Sequence, residues 1–202
     1  VFGVNTTCRI ITETGGTGGV TTKARDGSFV SYRNNIEKER MISFKPMEGS
    51  DYQEFLSYFV ADYAAEIEAN YRLCAQAALL QAQTEIETSL PQGEKSPGQV
   101  LLCIQTEING KTVTIGYLWY KPDRALKSIY ICDFYLHPDY RNQGFGSEAL
   151  KELERMLLDE GYNQIKLRVA AENHRAKHVY ESCGFNVTGI NMNKILGETF
   201  GE

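Results

Sequence analysis

Apolar side chains in the second quarter of the chain recur every three or four positions: Tyr52, Phe55, Leu56, Phe59, Val60, Tyr63, Ala64, Ile67 and Tyr71. That spacing lines one face of an α-helix, which the pattern starts after Ser50, a hydroxyl residue suited to capping the first turn. A strand over Arg40 to Pro46 precedes it, and helical character continues, with a bend, through an Ala/Gln/Glu-rich stretch to about Thr88. Leu90-Pro91-Gln92-Gly93 and Ser96-Pro97-Gly98 then read as loop. Strand-like runs follow at Val100 to Glu107 and Thr112 to Tyr120, joined at Asn109-Gly110, a dipeptide that favours a two-residue hairpin turn. Pro122-Asp123 opens another turn, and Ile129 to His137 is a third strand, closed by Pro138.

The remaining pattern returns to helical spacing. Ser147 to Glu160 carries Leu150, Leu153, Met156 and Leu157 on one face and stops at Gly161. Ile165, Leu167 and Val169 alternate as a fourth strand of the group. A short helix over Asn173 to Ser182 ends at Cys183-Gly184, and Phe185 to Ile195 is expected to close the domain as a strand. The order β-α-α-β-β-β-α-β-α-β predicts an α/β fold, an α+β mixed sheet with helices packed on it.

Residues 1–39 differ from the rest. They are rich in Gly and Thr, include Gly15-Gly16-Thr17-Gly18-Gly19, and predict a loosely ordered arm with a short strand at Ser28 to Tyr32. The organised domain is expected to occupy residues 40–202. A length of 202 residues is enough for one domain with a sizeable core. A net charge of −5 argues against nucleic acid as the main partner, because phosphate backbones require concentrated Lys and Arg. No apolar run is long enough to span a membrane, and no signal peptide is visible. The five cysteines, Cys8, Cys74, Cys103, Cys132 and Cys183, lack paired spacing, which fits free thiols in a reducing cytoplasm.

The segment Arg141-Asn142-Gln143-Gly144-Phe145-Gly146, continuing into Ser147, changes this picture most. Two glycines and a basic residue at the mouth of a helix suit a phosphate group. The first-turn N–H groups have no intrahelical partner, and the helix dipole adds partial positive charge. Glycine lets an anion approach the backbone, and Arg141 can add a charge-assisted contact.

That R-x-x-G-x-G motif, the order of elements, and a second pattern, N-x-x-A-x-x-x-Y-x-x-x-G-F at Asn173, Ala176, Tyr180, Gly184 and Phe185, resemble the GNAT superfamily of N-acetyltransferases over about residues 40–196. The resemblance implies acetyl-CoA as cosubstrate, with its pyrophosphate on Arg141 to Ser147. It also implies a central sheet splayed between Ile129–His137 and Ile165–Val169, so that backbone groups of Phe134, Tyr135 and Leu136 meet the pantetheine amides. Asn173 is expected either to cap its helix or to hydrogen-bond the pantetheine arm, with the cofactor role favoured, and Ala176 to line the same site. Tyr180 is expected to give a proton or a hydrogen bond to the leaving thiolate.

An ammonium acceptor must lose a proton before it attacks the thioester. Asp133 is the leading candidate base, a lone carboxylate in an apolar strand, with Glu172 and Glu107 as fallbacks. Strict alternation places it with Ile131 and Tyr135, opposite Cys132, Phe134 and Leu136. Arg168 stands where some relatives carry a basic carboxylate, which removes that route. Three features read as bystanders. His174 and His178, four apart on a helix, lack a third ligand, so no metal is expected. His137 reads as a strand-end residue, and Tyr117, Trp119, Tyr120 and Tyr135 as sheet packing that can also wall an acceptor pocket.

The expected activity is direct transfer of acetyl from acetyl-CoA to a primary amine. The partners expected are acetyl-CoA and the amine, with no nucleic acid and no membrane, and a homodimer is compatible with this reading. Two alternatives stay open: a CoA-binding module without catalysis, and an acetyltransferase acting on protein N-termini or lysines.

Overall fold

The computed structural model describes residues 41–192, and before them a two-residue antiparallel pairing of β1 (Thr22–Lys23) with β2 (Phe29–Val30). β2 falls inside the strand expected at 28–32; the rest of the arm lies outside the described residues. The remaining elements are β3 (Ile42–Pro46), α1 (Gly49–Tyr71), α2 (Ala75–Ser89), β4 (Val100–Ile108), β5 (Lys111–Asp123), β6 (Ser128–Leu136), α3 (Phe145–Asp159), β7 (Gln164–Leu167) and α4 (His174–Ser182). Strands β3 to β7 form one sheet in chain order, antiparallel except for the parallel pair β6–β7. No helix among the described residues is long and apolar enough to cross a membrane.

Two apolar layers cover the sheet. On one face Ile104, Leu118, Ile129, Ile131, Phe134 and Leu136 pack on Leu150, Leu153 and Leu157 of α3 and on Ala176 and Tyr180 of α4. On the other, Leu101, Cys103, Tyr117, Trp119 and Cys132 pack on Phe55, Phe59 and Ile67 of α1 and on Ala78, Ala82 and Ile86 of α2. Sheet strands of this kind, buried on both faces, explain the long apolar runs of β4 to β6.

Several boundaries differ from expectation for identifiable reasons. Helix α1 begins at Gly49 with Glu48 as its N-cap, so Ser50 is already helical. The Glu48 N–H donates to the Asp51 carboxylate at 3.0 Å, and that acidic first turn starts the helix early. Between α1 and α2, Arg72 takes a left-handed conformation (φ 51°), which makes the expected bend a full break. Strand β5 runs through Pro122 to Asp123. There β4 has already ended, since its last partner is Tyr120, so the missing proline N–H falls on an open edge. Asn109 and Gly110 both have positive φ (53° and 75°), as the hairpin turn requires.

Two expectations are corrected. Residues 185–192 form no strand, and 193–195 lie outside the described residues. Val187, Ile190 and Met192 are exposed, and Asn186, Gly189 and Asn191 weaken any ladder here, so no strand among the described residues pairs with this segment. The second correction concerns β6. Trp119 pairs with Asp133 and Tyr120 with Ile131, so two steps on β6 oppose one on β5 and Cys132 is the extra residue of a bulge. Alternation breaks there: Ile131 joins Phe134 and Leu136 on the α3/α4 face, whereas Cys132 shares the α1/α2 face with Tyr135. Asp133 turns toward α1 as well, where Tyr58 donates a hydrogen bond to it.

One glycine fixes the position of β6. A Cβ on Gly116 would lie 2.0 Å from the Tyr135 carbonyl oxygen and 2.9 Å from Leu136 Cα. Backbone atoms cannot yield that distance cheaply. Gly116→Ala is expected to destabilise the fold by about 1–3 kcal/mol through overpacking and to displace β6 at Tyr135. Chemical denaturation and acetyl-CoA titration check both effects; wild-type values for both would refute this.

Candidate active site

The parallel ladder between β6 and β7 ends at Ile131 paired with Leu167. Beyond it the strands part, and among the described residues Asp133 to Leu136 pair with β5 alone. The His137 N–H donates to the Ile115 carbonyl at 2.9 Å, so alternate residues, Tyr135 among them, direct their backbone groups to β5. Phe134 and Leu136 therefore direct theirs into the opening. Arg141 reaches that edge: its Nε donates to the Leu136 carbonyl at 2.8 Å, and its guanidinium lies 5.2 Å from the centre of the Tyr135 ring.

The turn after β6 starts with a 3₁₀ segment, Pro138–Tyr140, and then places Asn142 (φ 62°) and Gly144 (φ 88°) in left-handed conformations. Gly144 is the N-cap of α3, with no side chain capping the helix. The helix thus begins two residues earlier than its apolar pattern suggested, with Phe145, Gly146 and Ser147 in its first turn. Phe145 is buried against Tyr140, which anchors the turn, and Gln143 donates through Nε2 to the Asp139 carbonyl at 2.6 Å. Arg175, in the first turn of α4, donates to the side-chain oxygen of Asn142. It brings a second cation to the turn that the sequence pattern did not single out.

On α4, Asn173 is the N-cap and its side-chain oxygen accepts from the Ala176 N–H at 3.0 Å. The capping role expected as the plainer option is therefore present, and among the described residues no acceptor takes the side-chain NH₂ group. Ala176 and Tyr180 are buried beneath the sheet with Phe134 and Leu136, and the Tyr180 ring meets Phe185 edge-on at 5.4 Å.

Asp133 is 5% exposed on the other face. Its partner Tyr58 stacks on Tyr135 with centroids 3.8 Å apart, and also on Tyr117 at 5.8 Å. Burial first, and then the charge of Asp133, push the Tyr58 hydroxyl well above the usual phenol range, so it stays a donor. Tyr117 donates to Glu54 at 2.8 Å. His137 stands edge-on to both Tyr117 and Tyr135, and burial lowers its pKa. Glu54, Tyr58, Asp62 and Glu66 recur at four-residue spacing along α1, and Arg168 meets Glu66 at 3.4 Å. Helix α1 thus spans from β5 to the chain beyond β7 and roofs the opening with carboxylates and a phenol.

The two expected catalytic residues are not on one face: Asp133 faces α1, and Tyr180 projects from α4 onto the opposite face, in the layer shared with α3, with β6 between them. The fallbacks are placed apart, Glu107 exposed near the Asn109-Gly110 hairpin and Glu172 exposed ahead of α4. His174 and His178 are exposed on α4. Of the aromatic group, Tyr117 and Tyr135 border the opening, Trp119 donates to Gln99 at 2.7 Å within the core, and Tyr120 lies on the opposite face.

Residues 55–185 match the model of the acetyltransferase (GNAT) family. The chain belongs to that family. It is an acetyl-CoA-dependent N-acetyltransferase, moving the acetyl group of acetyl-CoA to an amine. It is 31% identical over 158 residues to the uncharacterized N-acetyltransferase YycN of Bacillus subtilis, covering 77% of this chain and 99% of that one. The crystal structure of YycN superposes with a TM-score of 0.70 at 29% identity, covering 78% of this chain and all of the other. A shorter stretch of 58 residues is 40% identical to the thialysine N-epsilon-acetyltransferase of Bos taurus, covering 29% of this chain and 34% of that one. The spermidine N-acetyltransferase of Vibrio cholerae, solved with CoA and spermine, shares the fold at a TM-score of 0.53 and 17% identity, over 73% and 82% of the two chains.

Proposed function

We propose that the opening between β6 and β7 receives the acetyl-pantetheine arm of acetyl-CoA and that the turn at Arg141 to Ser147 holds its pyrophosphate. The observation that carries this reading is a strand edge that β7 leaves open at Phe134 among the described residues, leading through Leu136 and Arg141 to a helix N-terminus whose N-cap, Gly144, has no capping side chain. The cosubstrate's amides and phosphates are what such an edge and such a terminus lack. Arg141, Asn142, Gln143 and Gly144 form the mouth of the cradle, and Phe145, Gly146 and Ser147 its floor. Asn173 offers its side-chain NH₂ to the arm while its oxygen caps α4, and Ala176 keeps the wall there small.

The acceptor amine approaches from the α1 side. Asp133, held by Tyr58, accepts the ammonium proton, and the free amine then attacks the thioester carbonyl carbon. A C–N bond forms, the C–S bond breaks, and Tyr180 supplies the proton to the departing thiolate. Backbone N–H groups facing the opening polarise the thioester carbonyl. Glu54 and the stacked rings of Tyr58, Tyr117 and Tyr135 suit a cationic acceptor. Free thiols at Cys74, Cys103, Cys132 and Cys183 fit a reducing cytoplasm.

Release of CoA thiol over a panel of amines, amino acids and peptides tests the reading. Turnover confined to peptides would replace a small cationic amine by a protein acceptor. Tyr180→Phe is expected to lower kcat about 10²-fold with acetyl-CoA affinity nearly unchanged. An unaltered rate removes Tyr180 as proton donor.

A further inference from the structure

At the closed end of the β6–β7 fork, three strands bring cations together. Lys121 of β5 pairs with Tyr130 of β6, and Tyr130 pairs with Lys166 of β7. Cross-strand partners share a face, and Tyr130 packs on the α1/α2 layer, so both lysines point to that side. Two rows nearer the β5–β6 turn, on the same face, stand Asp123, Ser128 and Gln164. Together with Arg124, four of these residues and Tyr130 line a cleft of about 490 Å³.

Among the described residues no carboxylate pairs with the lining cations. Lys121 lies over the Trp119 ring at 5.5 Å and Arg124 over Tyr162 at 5.7 Å, and among the described residues neither these nor Lys166 forms an ion pair. The one carboxylate present, Asp123, already accepts from the Leu126 N–H at 2.9 Å within the turn. Ser128 is wholly buried, yet its hydroxyl has no hydrogen-bond partner among the described residues. A buried hydroxyl without a partner costs about 1–3 kcal/mol. Two lysines and a spare donor on one cleft are the chemistry of an oxyanion site.

We propose that this cleft binds a small molecule bearing a phosphate or carboxylate group, separately from acetyl-CoA. The site does not rest on the assignments made at the opening. From Tyr130 to Phe134 is four residues of strand, about 13 Å at ~3.3 Å each, and the ladder is closed over the whole cleft. The oxyanion sits between Lys121 and Lys166, with Arg124 at the rim and the Ser128 hydroxyl donating from below.

Amide NMR titration of the full chain with inorganic phosphate, and separately with citrate, tests this in the presence of excess CoA. Saturable shifts are expected at Ser128, Tyr130 and Lys166, and the double variant Lys121→Gln/Lys166→Gln should weaken binding about tenfold or more. A response to phosphate alone assigns a phosphorylated ligand; a response to both assigns any oxyanion of this size. Absence of saturable shifts, shifts confined to 141–147, or unchanged affinity in the double variant would overturn the site. Should the double variant not fold, Ser128→Ala decides, since it removes the buried donor without removing charge. Unchanged phosphate affinity there overturns the proposal too.

Discussion

Asp133→Asn is expected to lower kcat for acetyl transfer by about 10²- to 10⁴-fold at neutral pH, the range that a positioned general base contributes. Asparagine matches aspartate in shape, and its carbonyl oxygen can still accept from Tyr58, so the α1–β6 contact survives the change. What is lost is an acceptor for the ammonium proton. The pH profile separates this from a loss of binding. An amine with a pKa near 10 gains about tenfold in its neutral fraction for each pH unit up to that value, so the variant's rate should climb with pH. A carboxylate that only holds the acceptor predicts a raised KM for the amine with kcat unchanged. Wild-type kcat at neutral pH would remove Asp133 from proton transfer. Tyr58→Phe provides the companion measurement: losing the hydroxyl frees one oxygen of a buried carboxylate and should alter the same profile while leaving acetyl-CoA affinity intact.

What the sequence made legible was the local chemistry. Gly144 and Gly146 stand beside Arg141 in the chain, and Asn173, Ala176 and Tyr180 share one short helix, so pattern alone sufficed for both motifs. The partners that complete the opening are far apart in sequence. Tyr58 reaches Asp133 across 75 residues, and Glu54 reaches Tyr117 across 63. Their trace was the four-residue series Glu54, Tyr58, Asp62 and Glu66, concealed within a helix whose apolar face attracts attention first. Gly116 was silent for a similar reason: its need for no side chain comes from β6, twenty residues on. The bulge at Cys132 defeated simple alternation because a period of two has no means of signalling an extra residue. The closing strand failed differently. A strand pattern states what residues 185–192 could do, and among the described residues they enter no ladder.

Gly144→Val should abolish measurable acetyl-CoA binding. Gly144 sits at φ 88°, where a side chain is strained, and it is the residue from which α3 starts without a side-chain cap. Backbone strain of that kind costs about 1–3 kcal/mol, and a branched Cβ would stand where an anion must approach the first-turn N–H groups. Strain alone could reduce stability, so a control is needed, and α3 supplies one at its other end. Gly161 has nearly the same conformation, φ 85°, and a Cβ there meets nothing within 4 Å. Gly161→Val therefore carries similar strain away from the proposed cradle. Calorimetric titration with CoA should show binding lost in Gly144→Val and kept in Gly161→Val, while thermal melts show comparable destabilisation. Equal loss in both would assign the effect to the stability of α3. Retained binding in Gly144→Val would move the pyrophosphate to another part of the molecule.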